Sequence, residues 1–152
     1  MLADIKVPRK EHRVGEQAFS VRGITFSDIA SLVSSGDRAE LEQAVALVME
    51  GQEDIQEAGV ASSRVLGALL VQLPKLAAKV IAAAADEPDE WTSVLAFPAP
   101  LQLEALLDIG EMTFTGEHAL KNFGAGLKRA LSAIKTVTDS AMHQIGSDGT
   151  KD

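Results

Sequence analysis

Cysteine and tyrosine are absent from this chain of 152 residues, and tryptophan occurs once. Without cysteine, disulfides and thiolate metal sites are excluded and a reducing compartment is permitted. The three histidines, His12, His118 and His143, are far apart and form no metal-spaced pair, so no metal or other cofactor is expected. Long apolar runs are missing too. The longest, Leu76 to Ala85, is alanine-rich, carries Lys79 and falls short of the ~20 residues a membrane span needs. Residues Met1 to Gly15 mix Lys6, Arg9, Lys10 and Arg13 with Asp4 and Glu11 and lack the apolar stretch of a secretory signal. The reading is a soluble cytoplasmic protein of one domain, long enough to bury a core without metal or disulfide support.

What is present is apolar surface on helices. Charge is unevenly spread: between Asp37 and Glu117 there are 15 acidic and 4 basic residues, against 7 acidic and 10 basic elsewhere. An acidic surface repels phosphate backbones, which argues against nucleic acid as a partner. In Ala18-Phe19-Ser20-Val21-Arg22 apolar and polar residues alternate, placing Phe19 and Val21 on one side of an extended segment. Thr25 and Asp28 fit a capping box for a helix from Phe26 to about Ser34, with Ile24 and Ile29 as its hydrophobic staple. Asp37 and Glu40 repeat the box for a second helix carrying Leu41, Ala44, Val45 and Val48, which Gly51 closes. Glu53 to Leu73 reads as a third helix, and the leucine density at Val65, Leu66, Leu69, Leu70 and Leu73 suggests the core of the bundle. Pro74 kinks or restarts the helix, which continues over Lys75 to Ala85.

Asp86 to Glu90 reads as a solvated break, Trp91 to Leu95 as a short helical turn and Phe97-Pro98-Ala99-Pro100 as a rigid connector. Leu101 to Met112 and Glu117 to about Met142 form the last two helices. Expected from this pattern is a mainly α single-domain bundle of five to seven helices with a short extended N-terminal segment. Residues 1–16 form a flexible or extended arm, 17–145 the helical domain and 146–152 a disordered tail.

Few residues offer chemistry. Glu104, Asp108 and Glu111 share one helix face, as a divalent ion or acid/base work requires, but without a nearby histidine or glycine-rich loop they read as a solvated face. Gly124-Ala125-Gly126 interrupts an apolar helix stripe rather than joining strand to helix, which favours close helix packing over phosphate binding. No nucleophile and base are paired, so an enzyme is not expected. Trp91, Phe97 and Leu101, with Glu104 and Asp108 beside them, are the candidate partner-binding residues. They combine apolar anchors, a stiff connector and an acidic rim suited to an amphipathic helix. For Trp91 and Phe97 the alternative is that they cover the end of the core.

Three runs together carry a family resemblance. Phe19-Ser20-Val21-Arg22-Gly23-Ile24-Thr25 leads into a helix, Leu73-Pro74-Lys75-Leu76-Ala77-Ala78-Lys79-Val80-Ile81 lies at the centre, and Leu101-Gln102-Leu103-Glu104-Ala105-Leu106-Leu107-Asp108 precedes a last helix with Leu120-Lys121-Asn122. They resemble the tail-assembly chaperones of long-tailed bacteriophages, the pre-tape-measure proteins. The resemblance implies a helical assembly factor that binds the tape measure protein, keeps it soluble and promotes polymerisation of tail-tube protein around it. It further implies work in the host cytoplasm and absence from the mature virion, and it adds weight to the homo-oligomer that several separate apolar faces suggest; the residues themselves point to no nucleic acid, membrane or cofactor. The alternative is an acidic helical adaptor or antitoxin-like protein that neutralises one basic partner.

Overall fold

Gly15, at φ +62°, takes the left-handed conformation that most side chains resist, so the chain reverses in two residues. The reversal joins β1 (Arg9–Val14) to β2 (Gln17–Arg22) in an antiparallel hairpin running from Arg9 opposite Arg22 to Val14 opposite Gln17. The computed structural model describes residues 1–53, 58–114, 122 and 124–133. Arg9 to Val14, placed by the sequence within an N-terminal arm, is thus a paired strand. Its charged run hides an alternation in which only His12 turns fully inward. His12 stacks on Phe19 with ring centroids 5.5 Å apart, and Val21 is completely buried.

Local chemistry fixes the next element. The Asp28 amide donates to Thr25 Oγ1 at 3.2 Å and the Thr25 amide to Asp28 Oδ2 at 2.8 Å, the reciprocal capping box that starts α1 (Phe26–Ser34). Ile24 and Ile29 meet in one apolar cluster with Leu41 and Leu131, as a staple should. Gly36, at φ +89°, lets the chain turn into α2 (Arg38–Glu53). Gly51 does not close that helix; an interior glycine costs only about 1 kcal/mol, and the helix continues to Glu53. The third helix, α3, is described over Ala58–Gln72, and residues 54–57, across which the sequence begins it, lie outside the described residues.

Pro74 restarts rather than kinks the chain. It occupies the first turn of α4 (Pro74–Ala84), where its missing N–H is not needed, and the axes on either side differ by 112°. The core centres on α4, not on α3: Leu76, Ala77, Ala78 and the run Ile81 to Ala84 are buried, whereas Val65 to Leu70 are only half-buried. Alanines explain this placement, because small side chains let several backbones approach one helix. Around α4 pack α1, α3, β2, α5 (Trp91–Leu95) and α6 (Ala99–Thr113).

Pro98 caps α6, so Ala99 and Pro100 belong to its first turn instead of a rigid connector. Gly23 lies where β2 meets α6: a Cβ there would stand 3.0 Å from the Met112 carbonyl oxygen, and the Ile24 amide donates to Thr113 Oγ1 at 2.9 Å. Residues 124–133 are helical, and Leu131 joins the cluster of Ile29 and Leu41 while its carbonyl accepts from Arg38 at 2.8 Å. Gly124 is buried, in keeping with close packing, whereas Gly126 is exposed. Thr115, His118 and the tail from Gly146 fall outside the described residues. The chain is mainly α, as its periodicity indicates. Among the described residues no single helix is long and apolar enough to cross a membrane.

Candidate partner-binding surfaces

The structure splits the five residues singled out by sequence into two groups. Trp91 and Phe97 are half-buried and pack against the core cluster of Val21, Ile81 and Ile109. The Lys79 ammonium stands 5.0 Å above the Trp91 ring while holding Asp37 at 2.7 and 2.8 Å. Phe97 tilts against Phe19 at 5.5 Å, and its carbonyl accepts from the buried Gln102 amide at 2.9 Å. On α6, Leu101 is half-buried and Glu104 exposed.

Asp108 belongs to the hairpin's anchorage. Its carboxylate accepts from Lys10 at 3.1 Å and lies 2.9 Å from His12 Nε2, while Glu111 takes Lys10 at 2.8 Å. Those contacts, Glu111 first, raise the Lys10 ammonium above its ordinary pKa. So two of the three carboxylates on this face fasten β1 to α6, a role that sequence spacing within α6 could not reveal. No group of histidines and carboxylates suited to a metal ion occurs among the described residues.

A cleft of about 540 Å³ opens between the hairpin, α1, α4 and the turn before α5, lined among others by Arg22, Asp28, Lys79, Asp86, Asp89 and Trp91. Arg22 bridges Asp28 and Asp86, each at 2.8 Å, and donates to the Ala83 carbonyl at 3.1 Å. Asp86 to Glu90 are exposed, as a solvated break requires, and Asp86, in the left-handed conformation at φ 61°, is also paired with Arg22 and, at 2.8 Å, with Arg9. Burial pushes the Asp28 carboxyl up, but Arg22 and Thr25 outweigh it and hold it below the usual range. Asp37 is lowered in the same way by Lys79 and the Ser35 hydroxyl, and Asp86 by the two arginines. With Arg22 and Lys79 already paired to carboxylates, the cleft fastens elements together and presents no reactive group.

Open apolar surface lies elsewhere. α3 and α6 pack on each other, and both carry leucines that stay half-buried: Leu66, Leu69 and Leu70 on the first, Leu101, Leu103 and Leu107 on the second. Val71 at the end of α3 is 83% exposed. Sequence reasoning missed this because leucine density signals burial without saying by what. The available hint was that Val65 to Val71 is apolar on more faces than one packed side requires. Met1, Leu2, Ile5 and Val7 are likewise exposed.

The charges at these surfaces brace the chain's own elements, and the fold is that of a mainly α scaffold. The chain matches the family model of the pre-tape measure protein over residues 1–146 and belongs to that family. The family is one of phage assembly rather than an enzyme class, and membership places the chain in phage tail assembly. Comparison with curated proteins and with solved structures gave no match.

Proposed function

We propose that this chain is a tail-assembly chaperone that covers the tape measure protein in the host cytoplasm, keeps it soluble, and leaves as tail-tube protein polymerises around it. The observation that carries the reading is the pair α3 and α6, with half-buried leucines on both and Val71 exposed. An unassembled tape measure helix presents an apolar stripe, and adjoining helices whose leucines pack inward yet stay partly exposed, with Val71 outside, suit helix-in-groove docking. Leu101 then contacts the partner and Glu104 rims it, while Trp91, Phe97 and Asp108 support the surface from behind. Many copies cover one long partner, so self-association belongs to the same proposal, as does absence from the finished virion.

The acidic-adaptor alternative gains no support from the charges. Asp28, Asp37, Asp86, Asp108 and Glu111 all engage cations of the same chain, which leaves less acidic surface for a basic partner. Co-expression with the tape measure protein tests the proposal. Wild type should raise the soluble fraction of the tape measure and co-purify with it in several copies per chain. A soluble fraction equal with and without this protein would overturn the reading.

A further inference from the structure

The outer edge of β1 is unoccupied among the described residues. In a hairpin with a two-residue turn the closing pair, Val14 and Gln17, exchanges hydrogen bonds, and so do His12 with Phe19 and Lys10 with Val21. The N–H and C=O groups of Arg9, Glu11 and Arg13 therefore point away from β2, and no other described backbone group bonds them. β2 differs: Arg9 reaches across to its Ser20 hydroxyl at 2.9 Å, and Arg22 ties its end to Asp28 and Asp86. Pro8 leaves the open edge intact, since by the same alternation its missing N–H belongs to the side facing β2. Val7, 60% exposed, continues the row of outward amides.

We propose that this edge pairs antiparallel with β1 of a second copy, Arg9 opposite Glu11 of the second copy, joining two hairpins into one four-stranded sheet. The charge pattern selects both partner and register. On the outer face the edge reads Val7, Arg9, Glu11, Arg13, alternating in sign; within one chain Arg9 also holds Asp86 at 2.8 Å and Arg13 stands 3.5 Å from Glu11, so the cross-edge pairs share charges that are already partnered. A centre at Glu11 would set Glu11 against Glu11 and arginine against arginine, which like-charge repulsion disfavours. A centre at Lys10 sets each Arg9 against Glu11 and each Val7 against Arg13, and it pairs residues 7–13 along their whole length. A centre at His12 also opposes unlike charges, but the Gly15 turn cuts its ladder short. At the chosen centre the two Lys10 side chains meet, each already bonded to Asp108 and Glu111 of its own chain. Such a two-fold contact is closed, so one edge satisfies the other and no fibre grows.

The inference rests on the self-association within the chaperone reading and gives it a surface. Glu11→Pro tests it, because the lost N–H belongs to the open edge and not to the hairpin. In sedimentation at tens of micromolar, wild type should run at twice the chain mass. Glu11→Pro and Glu11→Arg should run at the chain mass, with unchanged circular dichroism and melting. The chain has no cysteine. Lys10→Cys should therefore give a covalent dimer under mild oxidant, since non-hydrogen-bonded antiparallel partners have Cα atoms about 4.5 Å apart. A monomeric wild type, a folded Glu11→Pro that stays dimeric, or failure of Lys10→Cys to cross-link would overturn the edge pairing. Tape measure solubility with Glu11→Pro separates the two readings: a tape measure kept soluble by monomers leaves the chaperone standing whatever becomes of the edge.

Discussion

Arg22 and Asp28 face each other in a two-pronged ion pair, Nη1 to Oδ2 at 2.8 Å and Nη2 to Oδ1 at 3.2 Å, with both side chains largely shielded from water. Asp28 is also the reciprocal member of the α1 capping box, so one carboxylate starts the helix and locks it to the hairpin. Arg22→Ala should destabilise by about 2–3 kcal/mol, a little under the ~3–5 kcal/mol of a fully buried pair, because it strands Asp28. Arg22→Lys should recover only part of this, since a lysine cannot match the fork. Urea melts of the two variants check the order; equal loss in both would mean that charge alone matters.

Acid should unfold the protein through three carboxylates. Asp28, Asp37 and Asp86 have folded pKa values below the ordinary 3.8. Their contribution is therefore fully present above that value and is lost as pH falls through the lowered folded values. Melting temperature should hold steady from neutral pH to about 5 and drop steeply below about 4. Asp37→Asn should melt lower than wild type at neutral pH and show a shallower acid decline.

Gly23 and Ile81 test the packing. A methyl at Gly23 meets the backbone of Met112 and Thr113, which cannot swing aside, so Gly23→Ala should cost about 1–3 kcal/mol. Ile81 is 1% exposed at the centre of α4, and Ile81→Ala should cost about 2–5 kcal/mol by opening a cavity. If Ile81→Ala melts within a degree of wild type, α4 is not the centre of the core.

Binding and folding should separate by residue. Trp91→Ala and Phe97→Ala should lower stability by about 3 kcal/mol or more, because both rings lie against the core. Val71→Asp should leave melting within about 0.5 kcal/mol of wild type and yet lower tape measure recovery in a pull-down. Full recovery with Val71→Asp would move the docking surface off α3.

How much was readable in the sequence depended on how local the cause was. The capping box of α1, the restart at Pro74 and the short helix at Trp91 follow from residues within a turn of each other, and each is found in place. β1 was legible only as a flexible or extended arm because Arg9, Lys10, Glu11 and Arg13 hide its alternation and because its anchor, Lys10 on Asp108 and Glu111, spans most of the chain. The leucines of α3 do pack against the core, as their density suggests, but the central place of α4 was not legible: leucine count measures apolar area, whereas a position at the centre depends on how close neighbouring backbones can come, and alanine wins there. The break at Asp86 is solvated as read, but nothing nearby in sequence announces the two arginines that reach Asp86. Among the candidate site residues, sequence put Glu104, Asp108 and Glu111 on one face but could not foresee that Lys10 and His12 would claim two of them.

The bonds that seat the hairpin have a consequence for synthesis. Lys10 waits for partners 98 and 101 residues further on, and Ile24 for one 89 residues away. As the chain leaves the ribosome, α1 can wind on its own box and β2 can settle on α4 through Val21 and Arg22, but Lys10 and Ile24 have no partners until α6 emerges. For most of translation the hairpin's open edge and the exposed Met1, Leu2, Ile5 and Val7 are the part of the chain that nascent neighbours on the same message meet first. The proposed edge pairing would then begin between copies translated side by side, before either has finished folding.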